Sequence, residues 1–257
     1  MKVGFDARMA DHPGIGRYLR NLLKAMSSDA GDTRFSVIGK RKELRKISDS
    51  PNFEIIDCDI PIYSWKEQRS IHRFFEDCDV VHIPHFNTPF KLHPRTVVTI
   101  HDLIYFDVKD YSPFPGARLL LQWKLRQLTS GVRRIIAVSH ATREACVARF
   151  PHMREKIQVI HEASHLNGHG MIDSAPAKPY ILSVGSIREH KNIQGLLTAY
   201  ERLKADGRID ADWVIVGGLD KRFDRKYRFS QRIRRLPGVQ YLGQVQDNEL
   251  QDLYRKA

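Results

Sequence analysis

The sequence predicts an α/β protein built as two doubly wound parallel-sheet domains, the second incomplete, and three observations carry that prediction. Short apolar runs of strand length alternate with stretches of helical period along most of the 257 residues, the pattern of parallel strands joined by crossover helices. The alternation breaks at residues 168–179, GHGMIDSAPAKP, whose small residues and bounding prolines have the composition of an interdomain linker. It restarts at residue 180 and stops at Ala257 inside a helical pattern, without a closing strand. The expected division is therefore a Rossmann-like domain at 1–167, a linker at 168–179 and a partial Rossmann-like domain at 180–257.

Residues 2–7 read as the first strand, and from Gly14 a helix places Ile15, Tyr18, Leu19, Leu22, Leu23 and Met26 on one face. Between them, Gly14-Ile15-Gly16 is half of a dinucleotide fingerprint, with Leu19 where the third glycine would stand. Two readings stay open: glycines that let a ligand approach the backbone at a helix N-terminus, or a tight turn that needs positive φ. Further strands are expected at 35–39, 53–57, 80–83, 96–100, 134–139 and 157–160. Ligands of such sheets bind beyond the carboxyl ends of the strands. After 80–83 come His85 and Asn87, after 96–100 come His101 and Asp102, and after 134–138 comes Ser139 as an N-cap. Two strand ends thus pair a histidine with Asn or Asp, which reads as a polar mouth.

Residues 119–134, LLLQWKLRQLTSGVRR, are apolar and basic together. They fit a helix that buries Leu119, Leu120, Trp123 and Leu128 in the core, or one that lies on an anionic membrane. His161-Glu162-Ala163-Ser164-His165 matches the zinc-protease pattern H-E-x-x-H, with Gly168 at the spacing of one subgroup. That pattern needs a helix, whereas here it follows a strand, runs into Gly168, Gly170 and Pro176, and has Met171 in place of the third ligand. A metal site is not expected.

Residues 180–197, YILSVGSIREHKNIQGLL, carry the clearest chemistry. An apolar strand, expected to be buried on both faces, ends at Gly185, and Ile193, Leu196, Leu197 and Tyr200 follow at helical spacing. Arg188 and Lys191 fall between them, so two cations stand where free N–H groups and the helix dipole already favour an anion. A phosphate fits that position; solvated charges on an ordinary loop are the alternative. Strands at 213–216, closed by Gly217-Gly218, and at 239–243 follow. In residues 221–235 eight cations stand against one acid, with Phe223, Tyr227 and Phe229 interleaved. That run suits a solvated helix face or, alternatively, nucleic acid.

The formal net charge of +12 and a pI near 9.7 imply an acidic partner and do not choose among nucleotide, nucleic acid and anionic membrane. Cys58, Cys78 and Cys146 are odd in number and scattered, which fits a reducing cytoplasm. No signal-type leader and no window of membrane-spanning length is visible, so a soluble or peripheral protein at the inner face of the membrane is expected.

In order, FDAR with GIGRYLRNLL, VVHIPHFNTPF, TVVTIHDLIYF, RIIAVSHATRE, KIQVIHEA, YILSVGSIREHKNIQGLLTAYERL, WVIVGG and VQYLGQVQDNELQDLYRKA resemble the retaining glycosyltransferases of family 4. The resemblance spans the chain and is nearest to the bacterial mannosyltransferase-like branch, through HFNTP and TIHDL. It implies the GT-B architecture, two doubly wound domains facing a cleft, and transfer of a hexose from a nucleotide-sugar to a glycan or lipid-linked acceptor in polysaccharide assembly. By that likeness Lys191 holds the donor diphosphate. Arg188 assists in place of the arginine usual directly after the glycine, where this chain has Ser186. Gly185, Asn192 and Gly218 line the donor site, and Gly14 and Gly16 approach the diphosphate. His101 bonds the transferred sugar, and His85, Asn87 and Asp102 lie on the acceptor side. GDP-mannose is the implied donor, and neither a cofactor, a metal nor a nucleic acid is expected.

Members of the family continue past the position of Ala257 with a further strand, paired glutamates and a crossover helix. The chain is therefore expected to be a truncated form. An alternative function is an inactive remnant, or a non-enzymatic subunit that binds membrane or a partner through its basic surface.

Overall fold

The computed structural model describes residues 1–12, 14–108, 116–164 and 178–257. It divides into two compact units, Met1–Ala163 and Ser164–Ala257. The expected linker lies outside the described residues except at positions 178 and 179, as do His165, Gly168, Gly170, Met171 and Pro176.

The first unit runs β1 (Lys2–Asp6), α1 (Ile15–Ser28), β2 (Arg34–Gly39), α2 (Arg41–Leu44), β3 (Phe53–Asp57), α3 (Trp65–Ser70), β4 (Val80–Ile83), β5 (Thr96–Ile100), α4 (Ile104–Asp107), α5 (Ala117–Gly131), β6 (Arg134–Ala137), α6 (His140–Arg149) and β7 (Ile157–Val159). The strands form one sheet of order β3-β2-β1-β4-β5-β6-β7, and every pairing is parallel. The order reverses between β1 and β4, so the crevice that such sheets use for ligands opens at the ends of those two strands.

Both faces of this sheet are covered, which is why its strands read as continuous apolar runs. On one face Leu19 and Leu23 of α1 pack with Phe5, Val37 and Leu44. On the other, Ile71, Phe75, Leu125 and Leu128 pack with Val81, Ile83, Val98, Ile100 and Ile135. Each such side chain, buried completely, contributes about 1.5–3 kcal/mol of transfer free energy.

The core reading of α5 needs correction. Ala117, Leu121, Leu125 and Leu128 form its buried stripe, while Leu119, Leu120 and Trp123 are exposed. The helix is turned so that Lys124, not Trp123, faces inward.

The second unit runs β8 (Tyr180–Val184), a 3₁₀ turn (Glu189–Lys191), α7 (Ile193–Ala205), β9 (Asp212–Val216), α8 (Lys221–Tyr227), α9 (Phe229–Arg235), β10 (Val239–Gly243) and α10 (Asp247–Lys256). Its parallel sheet has the order β10-β9-β8. Helices α7, α8 and α9 cover one face through Leu197, Tyr200, Phe223, Phe229 and Ile233. Leu250 of α10 packs on Val214 and Val216 on the other.

Only the central strand β9 is deeply buried on both faces. The expected burial of β8 on both faces is not met within the described residues, where it lies at the edge of the sheet with Ile181 45% and Val184 41% exposed. In the basic run, Arg228 has φ 49° and splits the segment into two short helices. Phe223 and Phe229 turn into the core, so the cations line a solvated face and these aromatics offer no stacking platform for bases. No helix among the described residues is long and apolar enough to cross a membrane.

Candidate functional site

In the second unit the strand ends converge on a glycine-lined floor. The Gly185 N–H donates to the Val216 carbonyl at 2.9 Å, and the Ile187 N–H donates to Gly218 at 2.8 Å. Gly217, at φ 137°, lies so close that a Cβ there would overlap the Gly185 carbonyl oxygen. Beyond this floor Asn192 takes a left-handed conformation, φ 51°, directly before α7. Its amide lies over Gly195, where a Cβ would come within 2.7 Å of it.

The N-terminus of α7 has no side-chain cap and no acid in its first turn. That of α8 is already taken: the Asp220 carboxylate accepts from Arg222 N at 2.8 Å and Phe223 N at 3.1 Å. These backbone donors, with the nearby Arg188 charge, hold Asp220 below its ordinary carboxylate value. Arg188 and Lys191 flank the 3₁₀ turn and are both exposed. The Lys191 side chain makes no hydrogen bond or ion pair among the described residues. Glu189, between them, is occupied elsewhere: it accepts from Lys226 at 2.6 Å and from the Tyr227 hydroxyl at 2.5 Å. The structure thus brings Gly185, Arg188, Lys191, Asn192 and Gly218 to one end of one sheet, where the side chain of Lys191 stands beside the uncapped N-terminus of α7.

In the first unit His101 leaves the end of β5 with both ring nitrogens engaged. Nδ1 lies 2.9 Å from Glu162 Oε1 and Nε2 3.0 Å from the Pro84 carbonyl oxygen. The Tyr18 ring meets the imidazole edge-on at 4.9 Å. Tyr18 also pairs with Thr99 Oγ1 at 3.3 Å, which in turn bonds His82 Nε2 at 2.8 Å. Burial first, then the His101 charge, push His82 down to about 4, so its ring is neutral. Asp102 is exposed and accepts from Ile104 N at 3.0 Å.

Gly14 has φ 84° and open space where a side chain would stand, while the Gly16 and Arg17 N–H groups that follow donate to the His12 and Gly14 carbonyls, each at 2.9 Å. Gly16 differs. It is buried against the Ala10 carbonyl oxygen, 2.5 Å from a would-be Cβ, so its work is close packing of the loop on the helix.

The polar mouth expected after β4 is instead a buried network. Asn87 donates to Glu67 Oε2 at 2.9 Å and accepts from Lys124 Nζ at 2.8 Å, so both ends of its amide are spent internally. His85 accepts from Asn87 N at 3.0 Å, and burial pushes its imidazole down to about 3. Lys124 also donates to Gln68 Oε1 and the Thr88 carbonyl. Arg8 bridges Asp6 and Glu67, each at 2.7 Å. Burial works against the Arg8 charge, but the two carboxylates outweigh it and raise its pKa. Two cations and two acids balance inside this cluster, which fixes the loop after β4 from below. Its members Arg8, Glu67, Gln68 and Lys124 carried no sequence signal beyond Asp6 and Arg8 lying at a strand end.

The H-E-x-x-H pattern is not a helix here: residues 161–164 are irregular, and Glu162 pairs with His101 rather than facing His161 across a turn. Ser139 caps α6 as expected, accepting from Thr142 N at 3.0 Å.

The family model described as Glycosyltransferase Family 4 matches residues 13–163, and the model described as Glycosyl transferases group 1 matches residues 172–257. Among curated proteins, the O-antigen chain mannosyltransferase B of Escherichia coli is 27% identical over 191 residues, covering 69% of this chain and 49% of that protein. The chain thus spans about half the length of the curated relative it matches. Among solved structures, Anabaena HepE in complex with UDP and glucose superposes with a TM-score of 0.66 at 15% identity, over 100% of this chain and 72% of that one. A Rickettsia africae glycosyltransferase gives 0.64 at 14%, over 100% and 70%. The lipopolysaccharide outer core galactosyltransferase WaaB, in its apo form, gives 0.61 at 13%, over 100% and 71%. At these identities the likeness shows the fold, GT-B.

Proposed function

The chain belongs to Glycosyltransferase Family 4, and on that premise we propose that it moves a hexose from a nucleotide-sugar to a glycan or lipid-linked acceptor in cell-surface polysaccharide assembly, with retention of configuration. The sugar in this reading is mannose and the donor GDP-mannose, supported by the E. coli relative and by the HFNTP and TIHDL stretches. The observation that carries the proposal is the uncapped N-terminus of α7 with Lys191 and Arg188 beside it.

Breaking the bond between sugar and phosphate develops negative charge on the departing nucleoside diphosphate. Lys191, Arg188 and the N–H groups at the start of α7 supply preorganised positive charge for it, so the reading calls for no metal. The glycine floor at Gly185 and Gly218 lets the diphosphate approach the backbone, and Asn192 shapes the entrance to α7. In the first unit His101 hydrogen-bonds the transferred sugar by exchanging its Nε2 contact with the Pro84 carbonyl, Gly14 and Gly16 are the glycines of the loop that approaches the diphosphate, and Asp102 offers an exposed acceptor to the incoming hydroxyl. His85 and Asn87 act from behind by holding the loop. Retention follows when the acceptor attacks from the side on which the diphosphate leaves and the departing phosphate takes its proton; no protein nucleophile is invoked. The three buried thiols, unpaired, support a reducing compartment such as the cytoplasm.

Titration calorimetry of the purified chain with GDP and UDP tests the donor half, and transfer of label from GDP-mannose to a lipid-linked glycan, with the product anomer read by NMR, tests the rest. Lys191→Ala should weaken nucleoside diphosphate binding roughly 10- to 100-fold, the worth of one charge-assisted hydrogen bond, without lowering stability. An unchanged dissociation constant overturns the phosphate assignment.

A further inference from the structure

The donor-side turn of the second unit carries an acid, which opposes the binding of a phosphate. Between Gly185 and Asn192 the sequence SIREHK holds one carboxylate, Glu189, one residue after Arg188 and two before Lys191. Hydrogen bonds from Lys226 and then Tyr227 hold its carboxyl below the ordinary value, so Glu189 is ionised at neutral pH. A diphosphate bound at Lys191 is repelled by that charge unless the carboxylate is turned aside and neutralised. The fold does both. Glu189 Oε1 accepts from Lys226 Nζ at 2.6 Å and from the Tyr227 hydroxyl at 2.5 Å, both in the last turn of α8. The Lys226 ammonium also lies 5.0 Å from the Tyr227 ring centroid, so the three side chains form one closed cluster rather than a lone surface pair.

The cluster completes a set of anchors on the turn. At its start, buried Ile187 donates to the Gly218 carbonyl at 2.8 Å and accepts from Asp220 N at 3.2 Å, which lays the chain along the entrance to α8. At its end, the Asn192 N–H donates to the Glu189 carbonyl at 3.0 Å and the chain passes into α7. Glu189 therefore joins the end of α8 to the start of α7: its backbone closes the turn, and its side chain reaches across to α8. Tyr227 is itself held in place, its ring packed 4.8 Å from that of the core residue Phe223.

We propose that Glu189 is a positioning residue of the donor site: clamped to α8 by Lys226 and Tyr227, it fixes the turn that carries Lys191 and keeps its own charge off the diphosphate. This role rests on the phosphate assignment of the transferase reading and adds to it a control exerted from α8. The test is titration calorimetry of the purified chain with GDP. Lys226→Met/Tyr227→Phe frees the carboxylate and should weaken binding about tenfold; adding Glu189→Gln removes the freed charge and should bring Kd back within about threefold of the unsubstituted protein. Glu189→Gln alone keeps an accepting oxygen and should leave Kd within about twofold. A purely structural role gives no such recovery. Lys221→Met makes the same charge change at the far end of α8 and should also leave Kd within about twofold. Glu189, Lys226 and Lys221 are exposed, and Tyr227→Phe keeps the ring, so the variants should melt with the unsubstituted protein. GDP binding that ignores the double variant, a loss that Glu189→Gln fails to recover, or an equal loss in Lys221→Met overturns the proposal. Where Lys191→Ala weakens binding in any of these cases, the phosphate assignment stands and the clamp alone falls; where Lys191→Ala leaves Kd unchanged, both fall.

Discussion

His101 Nδ1 lies 2.9 Å from the Glu162 carboxylate, a contact that joins the end of β5 to the segment after β7 across 61 residues of sequence. The other nitrogen faces the Pro84 carbonyl at 3.0 Å. Both partners are acceptors, so a neutral ring satisfies one of them and a doubly protonated ring satisfies both. If His101 bonds the transferred sugar, Glu162 is the residue that sets its orientation. Glu162→Gln should therefore lower kcat for transfer about tenfold and leave KM for the donor nearly unchanged. Stability should move by less than about 0.5 kcal/mol, because the carboxylate is half-exposed. An unchanged kcat, or an equal change in kcat and KM, would remove Glu162 from this role.

Lys124 is enclosed and holds three oxygens at once, those of Gln68, Asn87 and the Thr88 carbonyl. Burial pulls its ammonium down to about 8 despite the attraction of Glu67. Lys124→Met fills a similar volume but strands all three acceptors and leaves Glu67 with Arg8 as its only nearby cation. We expect a loss of about 2–4 kcal/mol in urea unfolding at pH 7. The network sign also sets a pH trend: the unfolded lysine takes its proton at an ordinary value, the folded one near 8. Its contribution to stability therefore rises as pH climbs from about 8 toward 10, and Lys124→Met should abolish that rise. A loss under about 0.5 kcal/mol would show the network to be slack.

The acid side is governed by the buried histidines. The unfolded His82 protonates near 6.5, whereas the folded ring, desolvated and close to His101, resists protonation until about 4. Stability from this residue is full above about 6.5 and is lost as pH falls toward 4, at about 1.4 kcal/mol per pH unit in that window. His85 adds a similar slope, with its imidazole pushed down to about 3. His82→Asn retains an acceptor for Thr99 and removes the titration, so urea unfolding between pH 7 and 4.5 should show a shallower decline. Parallel curves for the two proteins would assign the acid sensitivity to other groups.

Much of the sheet was legible because period and strand length are local properties. Strands β3, β4, β5, β8 and β10 begin and end where the apolar runs do, and the 3.6-residue spacing of Leu19 and Leu23 locates α1. What escaped depends on partners distant in sequence. Trp123 and Lys124 exchange their expected sides because Glu67, Gln68 and Asn87 supply a polar socket that no local pattern encodes. Glu162 sat inside a protease-like motif, and its pairing with His101 follows from the β5-β6-β7 strand order. Ile181 and Val184 on β8 have the composition of a central strand, but no strand among the described residues pairs with β8 on its far side, and both are exposed there.

The donor-side floor yields the sharpest steric test. Gly217 combines φ 137° with a backbone carbonyl, that of Gly185, in the space a side chain would need. Neither obstacle can rotate away, since Gly185 is itself tied by its N–H to Val216 and Gly217 by its own to Gly243. Gly14 shares the positive φ, at 84°, but faces open space. Gly14→Ala should then cost about 1 kcal/mol, the conformational penalty alone, while Gly217→Ala should cost about 3 kcal/mol or more as β8 and β9 are forced apart. Urea unfolding followed through buried Trp213 of β9 reads the second effect directly, with Trp65 and Trp123 replaced by Phe to remove their emission. Equal costs at the two positions would mean that β8 and β9 can separate freely, and that the glycine floor does not hold the backbone groups of the proposed diphosphate site in place.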